Sequence, residues 1–162
     1  MIGTALRTSM VIGVHCKDGH FNDPDVPYCS VCGISMIQLT RVPAHGTRPP
    51  LGVLVLDDGV GYPLERGYVL GRRPARDGLV RSGRANPLPL ADRTVSRVHA
   101  RVLPDGWDVI LTDVGSTNGT WVCPPGGHFW SAVPAGAGVP LMPGARLRIG
   151  PRHIRYDSYR NP

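Results

Sequence analysis

Lysine is almost missing from this chain. Lys17 is the only one among 18 basic residues, so the positive charge rests on arginine. No run reaches the roughly 18–20 consecutive apolar residues that a membrane-spanning helix needs. The stretch Met10–Val14 is too short for a signal-peptide core, and no small-residue cleavage site follows it. His15 directly before Cys16 also fits poorly with a lipoprotein signal, where a small residue is expected. These absences predict a cytoplasmic protein without membrane partners. A sustained helical period is missing as well, as is any internal repeat. Long helices are therefore not expected.

In their place stand 21 glycines and 17 prolines within 162 residues that are 41% hydrophobic. That composition supports a packed core and many short strands joined by turns. From Leu51 onward, apolar runs alternate with turn signals: Leu51–Leu56, Tyr68–Leu70, Leu88–Leu90, Val98–Leu103, Trp107–Thr112, Thr120–Val122, Arg146–Ile149 and Ile154–Tyr156. Pro104-Asp105-Gly106 predicts a hairpin between the fourth and fifth of these. The expected fold class is all-β, a sandwich or barrel.

The net charge of +6 is unevenly placed. Residues 1–40 hold Arg7 and Lys17 against Asp18, Asp23 and Asp25, so the remainder carries +7. Residues 66–101 contain nine arginines against only Asp77 and Asp92. Guanidinium forks suit phosphate recognition, and a nucleic acid satisfies such a patch equally well.

Three of the four cysteines lie in the first 32 residues, and Cys123 stands apart. In a reducing compartment they point to metal or free thiols before disulfides. Cys16-x3-His20 and Cys29-x2-Cys32-Gly33 supply four ligands in two close pairs, with His15 as the rival to His20. The second pair resembles a zinc knuckle. A closed, structural Cys3His zinc site is expected, since a unit this small cannot bury enough apolar area to fold alone. A thioredoxin-like redox pair is disfavoured because no βαβ context surrounds it. One Lys against three Asp in residues 15–36 argues against nucleic-acid binding by this unit. The expected layout is an extension at 1–14, a zinc module at 15–36, a Pro-rich linker at 37–50 and the β domain at 51–160.

Within that β domain, Gly71-Arg72 sits at a strand end and Ser96-Arg97-Val98-His99 opens a strand. Gly115-Ser116-Thr117-Asn118-Gly119-Thr120 joins two strands. In this order the set resembles the forkhead-associated domain, especially bacterial members working downstream of Ser/Thr protein kinases. The resemblance covers about residues 51–157 and implies a β-sandwich of two antiparallel sheets that reads phosphothreonine in partner proteins. It assigns the phosphate to Arg72, Ser96 and Thr117, with Arg97 auxiliary, and the peptide backbone beside it to Asn118. Gly71, Gly115, Ser116, Gly119 and Thr120 are then structural. His99 braces the loop rather than activating Ser96, and no second acid in the motif would orient it as a triad requires. An adaptor, not an enzyme, is implied; the alternative is a nucleic-acid-binding protein using the zinc module and the arginine patch.

Departures from the family pattern are visible. Residues 75–89 lengthen the gap between Arg72 and Ser96 and read either as an irregular excursion that contacts the peptide outside the phosphothreonine or, the plainer expectation, as a surface insertion. Residues 124–140 form a second insertion holding Phe129 and Trp130, expected either to fold over the sandwich edge or to face a partner. Cys123 replaces a usual Asn, and Gly144-Ala145 a usual Gly-Asp. Trp107 reads as core or hairpin packing. Thr4, Thr8, Thr40 and Thr47 precede the domain. Related bacterial proteins can be switched by phosphorylation of such an N-terminal threonine, and a ten-residue flexible linker spans about 16–19 Å. Ordinary linker threonines are the plainer expectation.

Overall fold

The computed structural model describes residues 10–37 and 40–159. Among them the Gly- and Pro-punctuated sequence forms short strands, as the alternation of apolar and polar residues dictates. In chain order these are β1 (Met10–His15), β2 (Phe21–Asn22), β3 (Ala44–Thr47), β4 (Gly52–Leu56), β5 (Gly61–Pro63), β6 (Tyr68–Gly71) and β7 (Asn86–Pro89). There follow β8 (Ala100–Asp105), β9 (Asp108–Asp113), β10 (Thr120–Cys123), β11 (Ser131–Ala132), β12 (Gly138–Pro140), β13 (Arg146–Ile149) and β14 (Arg152–Ser158). The helical content of the described residues is one 3-10 turn, Pro74–Arg76, and one turn of α-helix, α1 (Gly78–Arg81). No helix among the described residues is long and apolar enough to cross a membrane.

Two sheets face each other, one in the order β11-β10-β13-β14-β4-β5 and the other β12-β9-β8-β6-β7. Leu54, Leu147, Ile149, Ile154 and Tyr156 from the first meet Leu70, Leu88, Val102, Val109 and Leu111 from the second, all essentially without solvent contact. Burial of each large aliphatic side chain contributes about 1.5–3 kcal/mol. The expected hairpin is present, with Asp105 opposite Asp108 and Gly106 at φ 59°.

One strand pair departs from the all-antiparallel expectation. β6 and β7 run parallel, because residues 74–85 form a crossover instead of a tight turn, as parallel neighbours require. The segment 75–89 is therefore not a mere surface insertion, since Ala85 and Leu88 within it are buried. Prolines 87 and 89 sit on this edge strand, where their missing N–H groups are tolerated. The 124–140 segment folds back over the sandwich. It adds β11 beside β10 and β12 beside β9, and Trp130 stacks against Arg146, Arg148 and His153.

A third sheet, β2-β1-β3, lies at the N-terminal side. It draws β3 from the segment expected as a linker. Gly13 and Gly46 face each other's strands across a slot filled by the Phe21 ring, where a Cβ on either would come to 2.5 and 2.9 Å of that ring. Phe21 in turn meets Trp107, with ring centroids 5.6 Å apart. The Trp107 indole N–H donates to Ile12 O at 2.8 Å, and Arg48 donates to Gly106 O at 3.0 Å. Trp107 packs against the edge of the sandwich core, as expected, and also holds the N-terminal unit. That unit sits at the far end of β8 from residue His99, about 17 Å away along a six-residue strand. Thr47 lies in β3 at this end, so a flexible tether from Thr47 to the opposite loops is not what the chain builds. Thr4 and Thr8 fall outside the described residues.

Candidate functional site

Three loops converge where β6 ends, where β8 begins and where β9 gives way to β10. Gly71 closes β6, and a Cβ there would lie 2.2 Å from Arg97 O. Only glycine lets the chain run so close that Arg72 N donates to Ser96 O at 3.0 Å and Arg73 N to Arg97 O at 2.9 Å. The exposed Arg72 side chain turns back across the second loop, and its Nε donates to Val95 O at 2.6 Å. Val95 itself is buried and pins this loop to the core.

His99 knits the loops together. It is fully buried. Its Nδ1 accepts from Ser96 N at 3.0 Å, so Nε2 carries the proton and donates to Gly119 O at 2.9 Å. Its backbone adds bonds from His99 N to Leu70 O and from Val114 N to His99 O. The imidazole engages the Ser96 amide and leaves the Ser96 hydroxyl alone, so the pair is not a nucleophile and its base. The Ser96 Oγ accepts from Thr117 N at 3.1 Å. The Asn118 side-chain amide donates to Thr94 O at 2.9 Å. Arg72, Ser96, Thr117 and Asn118 are thereby brought together. Arg97 joins through its backbone, and its exposed guanidinium makes no bond to any described residue.

Asp113 organises the third loop, and motif reading passed it over. It is buried. One carboxylate oxygen accepts from Gly115 N at 2.8 Å and Ser116 N at 2.9 Å; the other accepts from the Ser116 hydroxyl at 2.5 Å and the Thr120 hydroxyl at 2.6 Å. Gly119 N donates to Ser116 Oγ at 3.0 Å. Gly115 and Gly119 take φ of 90° and 84°, the left-handed region glycine enters freely. Burial pushes the Asp113 carboxyl up, but the two hydroxyls and two amides together hold it below the usual carboxylate range. The available signal was an Asp two residues before a turn Gly, the arrangement that bonds its own backbone downstream.

In the N-terminal unit, Cys16, His20, Cys29 and Cys32 form a set able to hold one metal ion, with ligand atoms all within 4.8 Å of one another. Cys16 Sγ lies 3.4 Å from His20 Nδ1 and 3.9 Å from Cys32 Sγ. Tetrahedral coordination at metal–sulfur distances of about 2.3 Å asks for separations of about this size. His20, not His15, completes the set; the His15 ring lies against Phe21 instead. Burial pushes the Cys29 thiol up, yet the Cys32 and Val31 amides and the Asn22 side chain outweigh it, lowering it to about 6. For Cys32 the Ile34 amide pulls down, while burial and the neighbouring Cys29 and Cys16 sulfurs push up, leaving it raised to about 11. Three sulfurs crowded in this way are what a divalent cation relieves.

Asn22 is the unforeseen member of this group. It is 1% exposed, donates to Cys29 Sγ at 3.3 Å and His20 O at 2.9 Å, and accepts from Ser30 N and Oγ. Every polar atom of this buried amide is satisfied by the ligand loops. Cys123 lies elsewhere, buried beside Arg146 Nη2 at 3.2 Å.

The FHA domain model matches residues 68–150, the span that contains all three converging loops. Mycobacterium tuberculosis EmbR, solved in complex with a low-affinity phosphopeptide, is 22% identical over 72% of this chain with a TM-score of 0.53. This chain spans only 26% of the EmbR chain. The FHA domain of an Arabidopsis thaliana hypothetical protein is 22% identical over 70% of this chain and 89% of its own, with a TM-score of 0.52. The N-terminal FHA domain of S. cerevisiae Rad53p, in complex with a phosphothreonine peptide, is 17% identical over 67% of this chain and 93% of its own, with a TM-score of 0.51. At these identities the likeness is one of fold. No curated protein matches the chain.

Proposed function

Because the chain belongs to the FHA domain family, we propose that it docks phosphothreonine-bearing proteins as an adaptor in Ser/Thr kinase signalling and performs no chemical step. Residues 51–160 form the reading domain, in a reducing, cytoplasmic setting. One observation carries the reading: Ser96 Oγ accepts a hydrogen bond from Thr117 N. Its own proton is then left to donate, and the hydroxyl is held by the backbone of a different loop. A phosphate dianion arriving between these loops meets that O–H and the Thr117 hydroxyl. It also meets the Arg72 guanidinium, whose Nε is fixed on Val95 O and whose Nη groups form the remaining fork. Arg97 adds an auxiliary cation at the rim. The Asn118 amide exchanges Thr94 O for a carbonyl of the bound peptide, a like-for-like trade that adds orientation at little cost. The buried His99 and Asp113 networks hold these donors in place before the ligand arrives, which lowers the entropy lost on binding. Matched peptides test this: the phosphothreonine form binds, and the threonine form does not.

The ion of the N-terminal unit is zinc in this reading, since three thiolates and one imidazole make the closed, structural donor set that zinc favours. Asn22 acts behind the ligands. Asn22→Ala is expected to weaken zinc affinity about 10–100-fold, the usual effect of losing a hydrogen-bonding partner of a ligand. Competition with a chromogenic chelator reads this directly, and an unchanged affinity would remove Asn22 from the role.

A further inference from the structure

The carboxylates and arginines at the loop end of the sandwich are used very differently. Asp77 pairs with Arg101 at 2.6 Å, its side chain 2% exposed. Asp113 is consumed by the third loop, and Asp57 and Asp58 both face Arg152. Asp92 caps the Thr94 amide and hydroxyl within its own turn. The arginines of the same end are turned outward. Arg72 follows β6, Arg73 and Arg76 flank and occupy the 3-10 turn behind it, and Arg93 and Arg97 lie on the second loop. All five are exposed. Apart from the Arg72 Nε bond, none of their side chains bonds to a described residue. The acidic residues of the N-terminal unit, Asp18, Asp23 and Asp25, lie at the opposite end and do not offset this excess. Four exposed guanidinium groups without a partner among the described residues, on the loops beside Arg72, exceed what a single dianion neutralises.

We propose that the segment recognised here carries, besides its phosphothreonine, at least one further anionic group within a few residues of it, held by Arg73 and Arg76. The proposal rests on the phosphothreonine reading and narrows its substrate class. The additional anion is a carboxylate or a second phosphoryl group; both satisfy the same guanidinium chemistry. Such a rim also steers encounter, because a one-signed patch raises association rates at low salt.

Four peptides of one length separate the possibilities when titrated onto the full zinc-loaded chain. They are phosphothreonine with neutral flanks, phosphothreonine with Asp and Glu flanks, phosphothreonine with a second phosphothreonine three residues on, and the acidic-flank sequence unphosphorylated. The proposal expects one or both multiply anionic phosphopeptides to bind about tenfold or more tighter than the neutral-flank one at low salt. It also expects the gap to close at about 1 M salt, where the screening length falls to about 3 Å. Whichever of the two binds tighter identifies the second anion. Arg73→Ala with Arg76→Ala should erase the advantage and weaken the neutral-flank phosphopeptide far less, through slower encounter alone, while lysine at both positions should retain part of the advantage. Equal binding of all three phosphopeptides, or an advantage that survives the double alanine variant, overturns the proposal while the phosphothreonine reading stands. Failure of every phosphopeptide to bind overturns that reading and this inference with it.

Discussion

Replacing Arg72 with alanine is expected to weaken phosphothreonine-peptide binding by about 100-fold or more, with the fold intact. Truncating one partner of a hydrogen-bonded charge pair costs about 2–5 kcal/mol, and each 1.4 kcal/mol is tenfold. The structural loss is small by comparison. Arg72 is exposed, and its one side-chain bond, to Val95 O, is worth about 1 kcal/mol net. Val95 stays buried in the core whatever stands at position 72. Arg72→Lys keeps the charge and loses the planar fork, so an intermediate loss is expected. Calorimetric titration beside a thermal melt distinguishes loss of binding from loss of fold. Undiminished binding by Arg72→Ala would remove this residue from the phosphate site.

The second large effect concerns the N-terminal unit. Cys29→Ser is expected to take zinc content from about one per chain to near none and to unfold residues 15–37, leaving the sandwich folded. The unit's own buried apolar cluster comprises Val14, Cys16, Cys29 and Met36 among the described residues, against twenty residues in the sandwich. Two of those four belong to the set able to hold a metal ion. Zinc binding in small domains contributes about 10–16 kcal/mol of apparent free energy, while Val14 and Met36 contribute about 1.5–3 kcal/mol each. With the proposed zinc bound, metal is expected to decide whether this unit is folded. Cys32→Ser should behave alike, and Cys123→Ser should keep its zinc because Cys123 is elsewhere in the fold. Because the unit docks at the hairpin end through Phe21 and Trp107, phosphopeptide affinity should survive its unfolding. Elemental analysis with amide hydrogen exchange reads both halves, and full zinc in the Cys29→Ser/Cys32→Ser double variant would refute the ligand set.

Most of the sandwich was legible because its strands carry both period-2 alternation and explicit turn residues. The hairpin at Pro104-Asp105-Gly106 and the strands at 68–71, 120–123 and 146–149 lie where those signals put them. What escaped has a common cause. β3 is Ala-His-Gly-Thr, with no apolar alternation, and it exists only because Gly46 and the distant Gly13 leave room for the Phe21 ring. β1 reads in isolation as a short apolar run. The parallel pairing of β6 and β7 depends on a crossover of 74–85 that no local period announces. Asp113 and Asn22 escaped for the opposite reason. Each is an ordinary polar residue in sequence, and only burial among convergent donors makes it the organiser of a site. The four residues able to hold a metal ion, His20 rather than His15 among them, were readable from spacing; the structure adds where His15 goes, its ring lying against Phe21.

The central claim is that phosphothreonine is held by the three loops at the start of β8. The most direct test is an amide-resonance titration of the zinc-loaded chain with a phosphothreonine peptide and its unphosphorylated twin. The account predicts saturable shifts at Arg72, Ser96, Thr117 and Asn118 with the phosphorylated peptide only, and still resonances at Cys16, Asn22 and Cys29 in the unit at the far end of β8, a strand about 17 Å long. Identical shifts from both peptides, or shifts confined to the N-terminal unit, would contradict it.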